Sequence, residues 1–297
     1  MDLITIDSLS DANISGLIDR ALAHFDDART GNVAETLKGR ILFNLFYENS
    51  TRTLMSFATA AHRLGMAVVT LPVDQSSVKK GESLADTART LDAMRPSALV
   101  LRHPDNGAPE RVAGIMAAPV INAGDGTNEH PTQALLDAAT LIRRFGSLEG
   151  RTVAICGDIK HSRVARSNAR LLPRLGATVR LAGPPKLTPD GDAPLTVDAA
   201  IEGADAVMML RVQRERLEAE LGDAPGEYLR LYGLTSERLA TAAPGAVVLH
   251  PGPMNRGVEI ADAIADDPER SLIATQVEMG VAMRMACLEL VIGKDES

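Results

Sequence analysis

Residues 40–64 read RILFNLFYENSTRTLMSFATAAHRL, and this stretch decides the fold. Arg40 to Phe46 is a short apolar run of strand length, and Thr51 to Leu64 shows helical spacing, with Ser50 placed as an N-cap. Strand, polar turn and helix form the unit of a parallel sheet, because parallel strands need a crossover to regain the same edge. Working outward, the unit recurs. Strands are expected at Ala67 to Val73, Ala98 to Arg102 and Pro119 to Asn122, with a helix over Ser83 to Met94. After a long helical segment, Pro131 to Phe145, the alternation restarts with strands at Thr152 to Cys156, Thr178 to Ala182, Asp205 to Leu210 and Ala246 to Leu249. Two successive sets predict an α/β protein of two doubly wound parallel-sheet domains. The final helix, 272–297, is long enough to pack back on the first domain. The expected division is residues 1–135 with that helix, and 136–271. A length of 297 residues agrees, being about twice a ~150-residue domain.

Composition removes several classes of function. Hydrophobic residues at 45% and charged residues at 24% argue against a disordered chain. No stretch reaches the roughly 18 uninterrupted apolar residues of a membrane span. MDLITIDSLSD at the N-terminus lacks a basic region followed by an apolar core, so no secretory signal is visible and the cytosol is the expected compartment. Cys156 and Cys287 lie far apart in apolar surroundings, which excludes a disulfide framework and a thiolate metal cage. A net charge of −8 and the absence of Trp make nucleic acid a poor partner.

In open α/β sheets, ligands bind outside the carboxyl ends of the strands, so the residues that follow each strand are the ones to inspect. After the first come Tyr47-Glu48-Asn49-Ser50-Thr51-Arg52-Thr53, which read either as an oxyanion or phosphate site at a helix start or as a capped surface helix. After the third stand Arg102 and His103-Pro104. After the fourth comes Gly124 to Gln133, where a glycine-rich turn and Pro131 hold His130 at a helix entrance. Alone, His130 reads as a structural turn residue; with Arg102 and Thr53 on the same sheet edge, the ligand reading prevails.

In the second half, Gly157-Asp158-Ile159-Lys160-His161-Ser162-Arg163 stands where a dinucleotide fingerprint would be, but G-x-G-x-x-G is absent, which disfavours NAD. Arg211-Val212-Gln213 puts Arg211 and Gln213 on one face of an extended chain, as a carboxylate clamp or a solvated helix start. His250-Pro251-Gly252-Pro253 is a stiff turn that offers mainly carbonyl acceptors, for a ligand amine or for nothing. Together Arg52, Arg102, Arg163 and Arg211, with Lys80 in the polar loop 74–82, form a cationic cluster in an acidic chain. With no G-x-S-x-G, C-x-x-C, H-E-x-x-H or P-loop motif, direct transfer between two bound anions fits best. No metal and no cofactor are expected.

These motifs resemble, in order and along nearly the whole chain, those of the aspartate carbamoyltransferase catalytic-chain family. The carrying stretches are FYENSTRT (46–53), SSVKKGE (76–82), RHP (102–104), HPTQ (130–133), RVQ (211–213) and HPGP (250–253). The Ser-Thr-Arg-Thr motif marks carbamoyltransferases in general. RVQ and HPGP mark the aspartate branch, since ornithine enzymes carry a cysteine-containing HCLP-like segment there. The resemblance implies that Ser50, Thr51, Arg52 and Thr53 bind the phosphate of carbamoyl phosphate. It implies that Arg102, His130 and Thr53 polarise its carbonyl oxygen and that Gln133 holds its nitrogen. Arg163 is implied to take the α-carboxylate of aspartate, Arg211 with Gln213 the β-carboxylate, and the carbonyls around Gly252 and Pro253 to orient the reacting groups. Ser76 and Lys80 are implied to enter a neighbouring subunit's site in a homotrimer with shared sites, which regulatory or dihydroorotase-like subunits can join.

The implied reaction gives N-carbamoyl-L-aspartate and phosphate, an early step of pyrimidine biosynthesis. Transfer to ornithine or another amine is the rival within the class; a non-catalytic scaffold and a nucleotide-dependent oxidoreductase are rivals outside it. The segment HPGPMNRGVE leaves Arg256 as an extra cation, for which a salt bridge across the domains is the plain expectation.

Overall fold

The apolar run that follows Arg40 forms β1 (Ile41–Phe46), buried at four consecutive positions. Consecutive burial means that both faces are covered, which is the signature of a strand inside a parallel sheet. In this computed structural model, which describes residues 1–31, 35–73, 77–189, 195–212 and 226–293, β1 pairs with β2 (Ala67–Leu71) on one side and β3 (Ala98–His103) on the other. The sheet is completed by β4 (Val120–Asp125), all parallel, in the order β2-β1-β3-β4. A second parallel sheet repeats the pattern with β5 (Thr152–Cys156), β6 (Thr178–Ala182), β7 (Ala206–Met209) and β8 (Val247–Leu249), ordered β6-β5-β7-β8. Each chain segment therefore starts in mid-sheet, steps one way, then returns to build the other side. The resulting switch points lie between β1 and β3 and between β5 and β7.

The chain clusters into two units, Met1–Ala139 with Val277–Ser297 and Thr140–Gln276. Helices of the first half are α1 (Asp11–Thr30), α2 (Thr51–Arg63), α3 (Leu84–Ala93), α4 (Ala108–Ala113) and α5 (Pro131–Phe145). Those of the second are α6 (Arg163–Arg174), α7 (Val197–Ile201), α8 (Glu227–Tyr232), α9 (Ser236–Thr241) and α10 (Asp262–Ala265), and the described chain ends on α11 (Ile273–Ile292). Beneath the first sheet Leu45, Leu99, Leu101, Leu91 and Val112 share one core. Beneath the second, Val207, Met209, Ile201 and Ile264 do the same.

The strands match the sequence reading closely, with differences at their ends. β2 stops at Leu71 and not Val73, as an edge strand with no buried position. β4 runs three residues past Asn122 to Asp125 and is buried throughout. The long helix α1 lies outside the alternation that starts at Arg40; it is capped by the Ser10 hydroxyl, which accepts the Asn13 N–H, and buries Ile14, Leu17, Ile18, Ala21 and Phe25. Cys156 and Cys287 are fully buried, and burial pushes both thiols up to about 12. No helix among the described residues is long and apolar enough to cross a membrane.

From Val277 on, α11 belongs to the first unit and is held there by charge as well as packing. Its Glu289, buried, lies 3.0 Å from His24 Nε2 and 3.2 Å from an Arg20 nitrogen of α1, and accepts the Thr36 hydroxyl at 2.6 Å. Burial alone would raise this carboxyl, but the hydrogen bonds from His24 and Thr36 and the charges of His24 and Arg20 outweigh it, holding the pKa down to about 2 from 4.5. A carboxyl whose pKa is depressed on folding stabilises the fold above its unfolded value and loses that contribution as pH falls through the folded one. Glu289→Gln is therefore expected to cost on the order of 2–3 kcal/mol near neutral pH. Urea midpoints of the two proteins should converge as pH drops from about 4.5 toward about 2; a gap that does not narrow would remove Glu289 from this role.

Candidate active site

In the first unit, three adjacent strands deliver polar groups at their carboxyl ends. After β1 the chain turns through Ser50, in extended conformation, into α2. Ser50 holds the N-cap position, as the sequence reading placed it, and its hydroxyl makes no capping hydrogen bond. First-turn amides have no partner inside a helix, and here the N-cap side chain does not take one of them. The first turn also contains no acidic residue, so the positive end of the helix dipole, the Ser50 and Thr51 hydroxyls, the Arg52 guanidinium and the buried Thr53 share one helix start.

Beside it, Phe46 of β1 is in register with Arg102 of β3. The β3–β4 ladder shifts register between Leu101 and His103, which takes Arg102 out of regular pairing with β4. Its side chain is then tied on both sides: one terminal nitrogen donates to the Ala123 carbonyl at 3.2 Å, and Nε lies 3.3 Å from a Glu48 carboxylate oxygen. His103, by contrast, is structural. Its Nδ1 accepts the Asp105 N–H at 3.0 Å, its ring packs 4.6 Å from that of Tyr47, and burial lowers its pKa.

His130 depends on a buried hub at the end of β4. The Asp125 carboxylate accepts the N–H of Gly107 (2.7 Å) and of Glu129 (3.1 Å) and the side-chain amides of Asn122 (2.8 Å) and Asn128 (3.1 Å). Glu129, also buried, accepts the Ile6 N–H at 2.9 Å. Gly126 makes the turn possible: its φ is +45°, and a Cβ there would come within 2.7 Å of the Pro104 carbonyl. The chain so held presents His130, itself buried, immediately before Pro131 at the first position of α5. One helical turn further, Gln133 donates its Nε2–H to Asp137 at 2.9 Å. Lys80 sits exposed on a single 3₁₀ turn, Ser77–Lys80, after β2. Ser76 lies outside the described residues.

In the second unit the same logic holds at the β5–β7 switch point. Gly157 ends β5 at φ +131°, where a Cβ would meet the Leu210 carbonyl at 2.9 Å. Crowding of neighbouring strand ends therefore explains this glycine without a dinucleotide. Asp158 accepts the His161 N–H and lies 2.8 Å from its Nδ1, which makes His161 a turn-holding residue. Arg163 is the first residue of α6, behind Ser162, whose hydroxyl caps Ala165 N–H. After β7, Arg211 is exposed while Val212 is buried against Leu187 and Tyr228, so the alternation turns Arg211 out of the core. Gln213 lies outside the described residues.

The His250 turn is set from within. Gly252 N–H donates to His250 Nδ1 at 2.8 Å, so the ring proton is on Nε2, which faces buried Glu259 at 3.2 Å. Glu259 also accepts the Asn255 N–H, and the Asn255 side chain donates to the Val212 carbonyl at 2.9 Å, linking this turn to the segment that carries Arg211. Pro251 and Pro253 have no N–H, the Gly252–Pro253 peptide is cis, and the Gly252 N–H is already used. What remains for a ligand is carbonyl oxygen. Arg256, expected to bridge the domains, instead makes a two-pronged pair with Asp266 at 2.7 Å and approaches Asp262 at 3.7 Å, both within its own unit. A near neighbour at a helix end outcompetes a long-range partner because it needs no further ordering of the chain.

The described chain matches two domain models: the carbamoyl-phosphate-binding domain of aspartate/ornithine carbamoyltransferase over residues 1–143 and the aspartate/ornithine-binding domain over 149–291. It belongs to the aspartate/ornithine carbamoyltransferase family. The aspartate carbamoyltransferase catalytic subunit of Granulibacter bethesdensis is 54% identical over 294 residues, covering 97% of this chain and 93% of that one. Among solved structures, aspartate transcarbamoylase of Trypanosoma cruzi, bound to carbamoyl aspartate and phosphate, superposes with a TM-score of 0.88 at 35% identity over 98% of this chain and 96% of that one. Ornithine carbamoyltransferase of Pyrococcus furiosus gives 0.87 at 28% identity, covering 98% and 97%. The fold is thus common to both branches of the family, and the second substrate must be argued from the site.

Sequence reasoning missed the buried carboxylates behind the site. Asp125 and Glu129 stand inside the quoted loop without a role. Asp137 was readable as the i+4 neighbour of Gln133 on a helix. Glu259 meets His250 only through the tertiary fold. The Asp125 hub gives a direct test. Asp125→Ala removes the acceptor of two backbone and two side-chain donors, and is expected to lower stability by about 2–4 kcal/mol and to weaken carbamoyl phosphate more than aspartate. Equal weakening of both substrates would show that the hub does not specifically serve the His130 loop.

Proposed function

We propose that this carbamoyltransferase transfers the carbamoyl group of carbamoyl phosphate to the amine of L-aspartate, forming N-carbamoyl-L-aspartate and phosphate, a step toward pyrimidines. The observation that carries the first half is the adjacency of the α2 start, Arg102 and the His130 loop at the ends of β1, β3 and β4. The Ser50 and Thr51 hydroxyls, the Arg52 and Thr53 groups and the first-turn amides take the phosphate. Arg102, His130 and Thr53 face the carbonyl oxygen, and Gln133 the nitrogen.

Aspartate brings two carboxylates and ornithine a second cation, and the second unit favours the former. Arg163 and Arg211 stand at strand exits, Arg163 for the α-carboxylate and Arg211 with Gln213 for the β-carboxylate. The turn at Gly252 and Pro253 offers carbonyls to the amine. A cationic side chain brought toward Arg211 would meet like charge.

In the reaction the uncharged amine attacks the carbonyl carbon, and the C–N bond forms as the carbonyl electrons move to oxygen. Arg102, His130 and Thr53 stabilise that oxyanion, each donor by about 2.7–4 kcal/mol if it behaves as in other oxyanion holes. The C–O bond to phosphate then breaks, and the departing phosphate accepts the proton of the amine. Fixing the reactants in line supplies the remaining advantage through proximity.

The exposed turn carrying Lys80, with Ser76 before it, is suited to reach a neighbouring subunit, which gives a homotrimer with shared sites. The two halves of the proposal are separable. Arg211→Ala is expected to raise the KM for aspartate by on the order of 10–100-fold, the loss of a charge-assisted hydrogen bond, with the KM for carbamoyl phosphate within about twofold; parallel changes in both would contradict the assignment. Lys80→Ala and His130→Asn, each weakly active, should regain activity when their subunits are exchanged, because shared sites then include an intact pair. No regain on mixing would mean that each chain completes its own site.

A further inference from the structure

Gln133 is an amide with two ends, and which end faces a ligand decides what it recognises. Its nitrogen donates to Asp137 Oδ1 at 2.9 Å, and both side chains are buried. An ionised carboxylate can only accept hydrogen bonds, so this contact leaves the amide oxygen as the end available to a ligand.

A buried carboxylate needs compensation, and the first unit supplies it from α11. Arg284 is 3% exposed, lies with its guanidinium 5.1 Å over the Phe57 ring and donates to the Gly280 carbonyl at 3.2 Å. Burial pushes its pKa down to about 10, while the nearby Asp137 carboxylate acts in the other direction. The position is tightly shaped: a Cβ on Gly280 would come within 2.8 Å of an Arg284 nitrogen and 3.4 Å of Leu136 on α5. Nothing in the proposed chemistry requires an arginine here, and a buried charge is a poor source of stability. What it does supply is a carboxylate kept as an acceptor behind a substrate-facing amide.

We propose that Asp137, compensated by Arg284, is a positioning residue for the carbamoyl group. It holds the Gln133 amide with nitrogen inward and oxygen outward, so that Gln133 selects acyl phosphates bearing an N–H donor over those bearing a methyl group or an oxygen. The proposal rests on the reading that Gln133 meets the carbamoyl nitrogen. With asparagine at 137, the partner can donate or accept, and both orientations of the Gln133 amide become accessible.

Two unreactive probes separate the possibilities: phosphonoacetamide, which has the NH₂ group, and acetonylphosphonate, which has a methyl in its place. Calorimetric titration of the wild-type protein is expected to favour the amide by about tenfold or more, since a site that binds a donor rejects the analogue lacking it. Asp137→Asn should bring the two affinities within about twofold of each other by weakening the amide alone. A residue that served only folding would weaken both. Because Asp137→Asn leaves Arg284 uncompensated, the double variant Asp137→Asn/Arg284→Met, which removes both charges, is measured beside it and should show the same loss. Gln133→Met tests the underlying reading. If Gln133→Met abolishes the preference while both Asp137 variants retain it, the positioning role is overturned and the site assignment stands. If Gln133→Met also retains the preference, or the wild-type protein has none, the assignment of Gln133 itself fails, and the proposal with it.

Discussion

Parallel strands packed on both faces leave a sheet only its ends for polar chemistry, and the rest of this structure follows from that constraint. β3, β5 and β7 are apolar and buried nearly throughout, so their helices are committed to covering them. Switch points between β1 and β3 and between β5 and β7 open the carboxyl ends, and the cations stand there. Arg102 emerges at a strand end and Arg163 at a helix start, so sheet pairing fixes the backbone of the first and the Ser162-capped helix start that of the second. A net charge of −8 is no obstacle, because Arg52, Arg102, Arg163 and Arg211 stand at these exits whatever the sum over the whole chain.

The polar groups at the strand exits are few, and their placement relies on buried carboxylates behind them. Asp125 holds the loop before His130, Glu259 holds the ring of His250, and Asp137 holds the amide of Gln133. Each is buried and accepts from a group whose orientation matters. An acceptor in a low-dielectric interior is costly to leave unmatched, and for the same reason it aligns its donors strongly. A loop cannot hold a catalytic group to within a fraction of an ångström by its own propensities; these carboxylates supply the missing rigidity.

Much of this was legible in the chain itself. Period and punctuation located all eight described strands, because central parallel strands are continuous apolar runs that end abruptly in polar turns. The same rule led to Arg52, Arg102, His130, Arg163 and Arg211. Partners set by tertiary contact were not legible. Ser50 was legible as an N-cap, but not that its hydroxyl makes no capping hydrogen bond. Arg256 looked like an interdomain cation, while its partners, Asp262 and Asp266, lie a short way along the chain. The register shift at Arg102 and the His250–Glu259 pair depend on strand pairing and on packing across elements, which no local pattern encodes.

The central claim is that the second unit selects a dicarboxylic amine acceptor. Its most direct test is a competition in which the purified protein receives ¹³C-labelled carbamoyl phosphate with equal concentrations of L-aspartate and L-ornithine, and the products are resolved by NMR. The account predicts label in N-carbamoyl-L-aspartate, with one phosphate released per carbamoyl group transferred and no labelled citrulline. Label accumulating in citrulline would contradict it.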